Sequence, residues 1–317
     1  MSPTTLAFLV AGLALLLVGG EFLVRGAVAV ATRLGVSRLL AGLVIVGFGT
    51  STPELMTSIN AALSGSPGIA VGNVVGSNIA NLFLILGIAA LLFPVPVEAA
   101  AFRRDGTVLA VVTAIGLGVL LLGHIDRLIG AALILGIIAY VVTTYVLERR
   151  RHTLAERIYV EEAELKTSES LGLAAGLGLS LAGLVGVVVG ADWLVKGAVE
   201  IAAAAGVSET VIGLTLVAIG TSLPELATVI VAGLRRQTDI AIGNVIGSNI
   251  FNILFILGAT ALVQPIPVPL EIIAFDAWAM AVATGLTLFL IRTGWQVTRF
   301  EGGLLLASYG IYLWIVF

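Results

Sequence analysis

The chain has 317 residues, of which 59% are hydrophobic and 11% charged, and its mean hydropathy is +1.14. That is too apolar for a soluble domain and describes a protein that crosses a membrane several times. The formal net charge of −3 assigns no partner, and the lack of cysteine excludes disulfides, thiolate metal sites and thiol redox chemistry.

The first apolar stretch covers about 4–32. With neither a basic leader nor a small-residue cleavage site, it reads as a spanning helix rather than a removed signal. Further stretches cover about 39–63, 69–93, 107–123 and 128–147. Residues 148–170, which include Glu148, Arg149, Arg150, Arg151, Glu161, Glu162 and Glu164, form the main hydrophilic segment. Apolar stretches resume at about 171–203, 210–234, 240–263, 277–291 and 302–317. The pattern predicts an all-α polytopic membrane protein with ten transmembrane helices. Residues 1–147 and 171–317 carry five each, and 148–170 links them.

The second stretch holds the chemistry. Gly47-Phe48-Gly49-Thr50-Ser51-Thr52-Pro53-Glu54-Leu55 lies in the middle of an apolar run, where a carboxylate is expensive unless it meets protein, water or a ligand. Pro53 has no N–H, so the helix should break beside Thr50 and Ser51 and free a carbonyl at Gly49. A broken helix with loose carbonyls, hydroxyls and one carboxylate at the midplane is how transporters build cation sites. The phrase returns 171 residues later as Ala218-Ile219-Gly220-Thr221-Ser222-Leu223-Pro224-Glu225-Leu226. Gly72-Asn73-Val74-Val75-Gly76-Ser77-Asn78-Ile79-Ala80-Asn81 recurs at the same offset as Gly243-Asn244-Val245-Ile246-Gly247-Ser248-Asn249-Ile250-Phe251-Asn252. The chain is two copies of one unit.

Five spans per copy is an odd number, so the second copy should enter the membrane from the opposite side. The charges agree. The uncharged tip at 64–68 matches Arg235-Arg236-Gln237-Thr238-Asp239, whereas Arg103 and Arg104 match Ala274 and Phe275. Basic residues mark the cytoplasmic face. Placing 148–170 inside puts nearly all arginines on that face and both termini outside, as two inverted five-helix repeats.

Inversion brings Glu54 and Glu225 together near the midplane with a combined charge of −2, suited to one divalent or two monovalent cations. Thr50, Ser51, Thr221 and Ser222 stand beside them, and Ser77, Asn81, Ser248 and Asn252 come from the next helix of each half. Every one of these is an oxygen donor, which suits calcium or sodium; zinc or copper would recruit His or Cys. Ser77 and Asn81 share a helix face, as do Ser248 and Asn252. Blander readings stand beside this one. A single Ser or Thr in a membrane helix often bonds its own backbone. Gly72, Gly76, Gly243 and Gly247 suit close helix packing as well as site shaping. Glu21 with Arg25, and Asp192 with Lys196, are spaced i, i+4 and are expected to neutralise each other within their helices.

Together the two phrases and their copies resemble the alpha repeats of the cation/calcium antiporter superfamily, and within it the prokaryotic sodium/calcium exchanger branch. The resemblance implies that Thr50, Ser51, Glu54, Ser77, Asn81, Thr221, Ser222, Glu225, Ser248 and Asn252 are ion ligands, joined by the backbone carbonyls of Gly47 and Ala218. It implies that 4–32 and 171–203 slide across the other eight helices. Many exchangers of this family carry Asp where this chain has Asn252, and potassium-dependent members use that acid, so potassium coupling is not expected. The implied function is secondary antiport of calcium against sodium by alternating access, exporting calcium; the alternative is a calcium (or other cation)/proton antiporter on the same fold. The implied setting is the cell (plasma or inner) membrane, with calcium, sodium and lipid as partners. No cofactor, nucleic acid or obligatory protein partner is expected. A channel would need a continuous pore with rings of charge or carbonyls. An intramembrane enzyme would need a catalytic constellation at depth, and both histidines, His124 and His152, fall in polar connections.

Overall fold

A computed structural model describes residues 3–159, 171–205 and 218–316. The first half begins with α1 (Pro3–Leu34) and continues through α2 (Arg38–Thr50) and α3 (Thr52–Leu63). Next come α4 (Pro67–Leu92), α5 (Ala99–Leu121) and α6 (Arg127–Tyr159). The second half holds α7 (Leu173–Ala204), α8 (Ala218–Thr221) and α9 (Leu223–Leu234). It closes with α10 (Thr238–Val263), α11 (Ile272–Gly294) and α12 (Arg299–Val316). The start of the stretch expected at 210–234 lies outside the described residues. Among those described, seven helices are long and apolar enough to cross a membrane, or eight if the bent pair α2 and α3 is one span.

Burial sorts the helices. In the most apolar windows of α4 and α10, 78% and 94% of residues are buried, against at most 39% in the other spans. These two form the centre together with the mostly buried α2 and α9, and the other long helices present an apolar face outward, as expected where lipid rather than water is the solvent. α10 lies close against α2 because glycines remove the obstacle: a Cβ on Gly243 would stand 2.3 Å from the Leu39 carbonyl oxygen, and one on Gly247 2.4 Å from that of Leu43. The packing reading holds for those two positions. Gly76, by contrast, has open space among the described residues.

α1 and α7 form a second seam. Gly12 faces Leu194, Gly19 faces Val187 and Gly26 faces Ser180, so the numbering falls in one helix as it rises in the other. The two helices are antiparallel, and small residues let their backbones nearly touch.

Short strands tie the ends together. β1 (Val95–Pro96) pairs antiparallel with β4 (Gln296–Val297), and β2 (His124–Ile125) with β3 (Ile266–Pro267). Each pair takes one strand from each half.

Several boundaries differ from the sequence expectation. α5 starts at Ala99 rather than near 107, because Arg103, Arg104, Asp105 and Thr107 belong to the helix. Asp105 is fully buried, and Arg104 bonds it at 2.8 Å while also reaching Glu148 on α6 at 2.7 Å. Tyr140 donates to Asp105 at 3.0 Å. Glu148 in turn accepts the Ser37 backbone N–H at 2.8 Å and its hydroxyl at 2.9 Å, while Ser37 caps α2. This network fastens the start of the broken helix to α5 and α6. α6 continues to Tyr159, beyond the apolar stretch that ends near 147.

Candidate cation-binding site

The break expected at Pro53 falls at Ser51. Its φ of −80° and ψ of 7° separate α2 from α3, and the two segments meet at 42°. Pro53 and Pro224 each sit in the first turn of the following helix, where a missing N–H costs nothing. Glu54 and Glu225 are acidic residues of those same first turns, so each carboxylate sits at the positive end of a twelve-residue helix. Sequence and dipole agree on where the charge belongs.

The two halves meet here reciprocally. The Ser51 hydroxyl donates to Glu225 Oε1 at 3.1 Å, and the Ser222 hydroxyl donates to Glu54 Oε1 at 3.4 Å. Glu54 and Glu225 are only 1% and 2% exposed. Their other oxygens, Glu54 Oε2 and Glu225 Oε2, have no hydrogen-bond partner among the described residues, and neither do Asn81 Oδ1 and Asn252 Oδ1. Leaving a buried acceptor unpaired costs on the order of 1–3 kcal/mol, more when it is charged. Asn249 Oδ1 and the hydroxyls of Ser180, Thr260 and Thr287 are likewise without a partner among the described residues, but only the four on Glu54, Glu225, Asn81 and Asn252 include the carboxylates that a cation would satisfy.

The remaining expected residues fall as follows. Thr50, Ser77 and Ser248 are buried, and Thr221 is partly buried. Thr50 donates to the Val46 carbonyl at 3.0 Å and approaches Asn244 Oδ1 at 3.2 Å. The Gly47 carbonyl accepts the Ser51 N–H at 3.2 Å and the Ser248 hydroxyl at 3.4 Å. It is therefore engaged with the protein rather than free. Ala218 opens α8 one turn before Ser222. Asn252 Nδ2 donates to Asn78 Oδ1 at 3.2 Å, which turns its own carbonyl oxygen away from that contact. Asn81 and Asn252 begin or lie within matching π-helical turns, Ala80–Ile85 and Asn252–Ile256. Such turns are frequent where a helix carries function.

Two residues were missed as site components. Asn73 Nδ2 donates to the Glu54 carbonyl at 3.0 Å and to Ser58 Oγ at 2.9 Å, and Asn244 Nδ2 donates to the Glu225 carbonyl at 3.4 Å. Each amide holds the backbone of a glutamate from the following helix. The available signal was that Asn73 and Asn244 repeat at the 171-residue offset inside an apolar helix.

The intrahelical pairs need one correction. Lys196 does bond Asp192, at 2.6 Å, but Glu21 turns away from Arg25 and pairs with Arg235 at 2.6 Å. A tertiary partner at the end of α9 outcompetes the i, i+4 neighbour.

Comparison with known proteins places this arrangement. The family described as sodium/calcium exchanger protein matches residues 4–146 and 175–317. The chain is 36% identical, over 98% of both chains, to CaxA of Alkalimonas amylolytica, a protein named as an antiporter. It is 33% identical to the sodium/calcium exchanger MaX1 of Methanosarcina acetivorans, over 100% of this chain and 99% of that one. Its structure superposes on that of the sodium-calcium exchanger NCX_Mj obtained with zero Na+ and Ca2+, with a TM-score of 0.84, 30% identity and all of both chains covered. The chain is a predominantly helical, multi-pass membrane protein, and it belongs to the sodium/calcium exchanger protein family.

Proposed function

We propose that the protein exchanges calcium for sodium across its membrane through one site shared by its two halves, with Glu54 and Glu225 as the common carboxylates. The observation that carries this reading is the pair of buried carboxylates, Glu54 and Glu225, each with one oxygen unpartnered among the described residues, as are Asn81 Oδ1 and Asn252 Oδ1. Two carboxylates balance one calcium or two sodium ions; a third sodium would carry net charge, so exchange against more than two sodium ions is electrogenic. Calcium and sodium then compete for the same oxygens, and sodium entering down its gradient displaces calcium outward. Thr50, Ser51, Ser77, Thr221, Ser222 and Ser248 complete the oxygen-rich shell, with the Gly47 and Ala218 carbonyls at its edge. Asn73 and Asn244 position the glutamates.

The proposal includes ten spans in two inverted repeats, 1–147 and 171–317, with 148–170 in the cytoplasm and both termini outside. The family matches lie 171 residues apart at both ends, which supports the repeat. Two further observations support its inversion. The first helices of the halves, α1 and α7, are antiparallel, where an uninverted repeat would make them parallel. Each β-pair also joins the connection before α5 or α6 to the connection before α12 or α11 of the other half. α5, at about 1.5 Å per residue, holds the two pairs a membrane thickness apart. The glycine seam makes α1 and α7 one unit, suited to moving together past the site.

The test is tracer calcium uptake into sodium-loaded proteoliposomes. An outward sodium gradient should drive uptake, and replacing potassium with an inert organic cation should leave it unchanged. Uptake that follows a pH gradient and ignores sodium would instead make the protein a proton-coupled antiporter.

A further inference from the structure

Arg25 is a cation inside α1, nine residues from its end, or about 13 Å along the helix axis. Its side chain is exposed, and among the described residues it makes no hydrogen bond or ion pair. An intramembrane charge without a partner calls for a ligand.

Its isolation has a cause in the repeat. The counterparts of Glu21 and Arg25 are Asp192 and Lys196, which bond each other at 2.6 Å. The counterpart of Arg235 is Ser64, an uncharged residue, so Asp192 has no competing cation at that position. In the first half Arg235 captures Glu21 through its Nε, and Arg25 is released. The terminal amino groups of Arg235 have no partner among the described residues.

The released groups share a space. An open cleft of about 600 Å³ is lined by Glu21, Arg25, Thr32, Leu171, Arg235 and Gln237. Gln237 also accepts a bond from Arg38 at 3.0 Å, which brings a further guanidinium to the rim. Two arginines against one carboxylate leave the lining net positive, repelling the transported cations and attracting an anion. Phe22, Leu171 and Leu234 are exposed apolar neighbours at the same end. A planar guanidinium matches phosphate oxygens, and basic pockets between membrane helices suit lipid headgroups.

We propose that this cleft binds the phosphate of an anionic lipid headgroup, held between Arg25 and Arg235. The lipid closes the gap between α1 and the turn after α9, with its acyl chains along the exposed apolar side chains.

The test uses the purified full-length protein with spin-labelled phosphatidylglycerol or phosphatidylcholine. Wild type should prefer phosphatidylglycerol by about fivefold, roughly the worth of one basic side chain against an anionic surface. Arg25→Gln and Arg235→Ser should each abolish the preference, the second because Glu21 returns to Arg25, while Arg25→Lys should keep most of it. Millimolar inorganic phosphate should not displace the lipid. A wild type without preference, a preference that survives both substitutions, or displacement by free phosphate would overturn the proposal. Wild type also decides alone, should the variants not fold: a phosphatidylglycerol with a photoreactive headgroup should label residues 21–32 or 234–237, and labelling only elsewhere overturns the site.

Discussion

The centre of the molecule and its rim treat the internal repeat differently. At the centre the contacts on the two glutamates are mirrored: Ser51 bonds Glu225 as Ser222 bonds Glu54, and Asn73 holds one glutamate carbonyl as Asn244 holds the other. At the rim the mirror fails. Arg104, which joins Asp105 to Glu148, has Phe275 as its counterpart, and Asp276 is left with the Tyr312 hydroxyl at 3.0 Å. Arg235 has Ser64. The difference teaches what each region answers to. On the proposed reading, a site shared by two inverted halves needs equal contributions from both, whereas residues at the ends of inverted halves would face opposite sides of the membrane and so different charge rules.

The largest predicted effect tests the equality of the centre. Glu54→Gln and Glu225→Gln should each reduce calcium transport by roughly a hundredfold or more, since uncompensated buried charge costs about 3–5 kcal/mol. A variant that loses transport beside a partner that keeps it would break the symmetry.

The positioning amides come next. Asn73→Ala should slow transport by about tenfold, in line with a lost buried hydrogen bond of about 1–1.5 kcal/mol. Asn244→Ala should cost more, because Asn244 Oδ1 also meets the hydroxyls of Thr50 and Ser248. Initial flux rates at saturating calcium check both, and the reverse order would show that the extra contacts do not matter.

At the rim the expected effect is on stability. Glu148→Gln should lower the thermal midpoint in detergent by several degrees, because it weakens the bond to Arg104 and the cap on Ser37 together. Asp276→Asn, with only the partly buried Tyr312 bond to lose, should cost about 1 kcal/mol or less and so lower the midpoint by fewer degrees. Equal shifts would mean that the network on Glu148 adds nothing beyond a single pair.

The inversion itself can be read without altering function. Cysteine at Ser66 should react with an impermeant reagent from outside and cysteine at Gln237 only from inside, and the natural chain has no cysteine to interfere. Labelling of both from one side would remove the shared site.

Much of this was legible in the residues, for reasons that differ by position. Glu54 and Glu225 stand out because lipid makes a carboxylate anomalous. The break at Ser51 follows from Pro53. Asn73 and Asn244 are marked in the sequence only by their repetition, and their role is not legible there, because their partners are backbone carbonyls 19 residues away across a turn. Glu21 misled because helical spacing describes the isolated helix, while Arg235 reaches it only in the folded bundle, 214 residues away. α5 began eight residues earlier than its apolar run suggested because Asp105 and Arg104 satisfy each other and can be buried within the helix.

The central claim is that two carboxylates make one site, and equilibrium calcium binding to the purified protein tests it most directly. One calcium should bind per chain, displaced competitively by sodium, and either Glu54→Gln or Glu225→Gln alone should abolish binding at the same calcium concentration. Two independent calcium ions per chain, or one ion retained after either substitution, would contradict it.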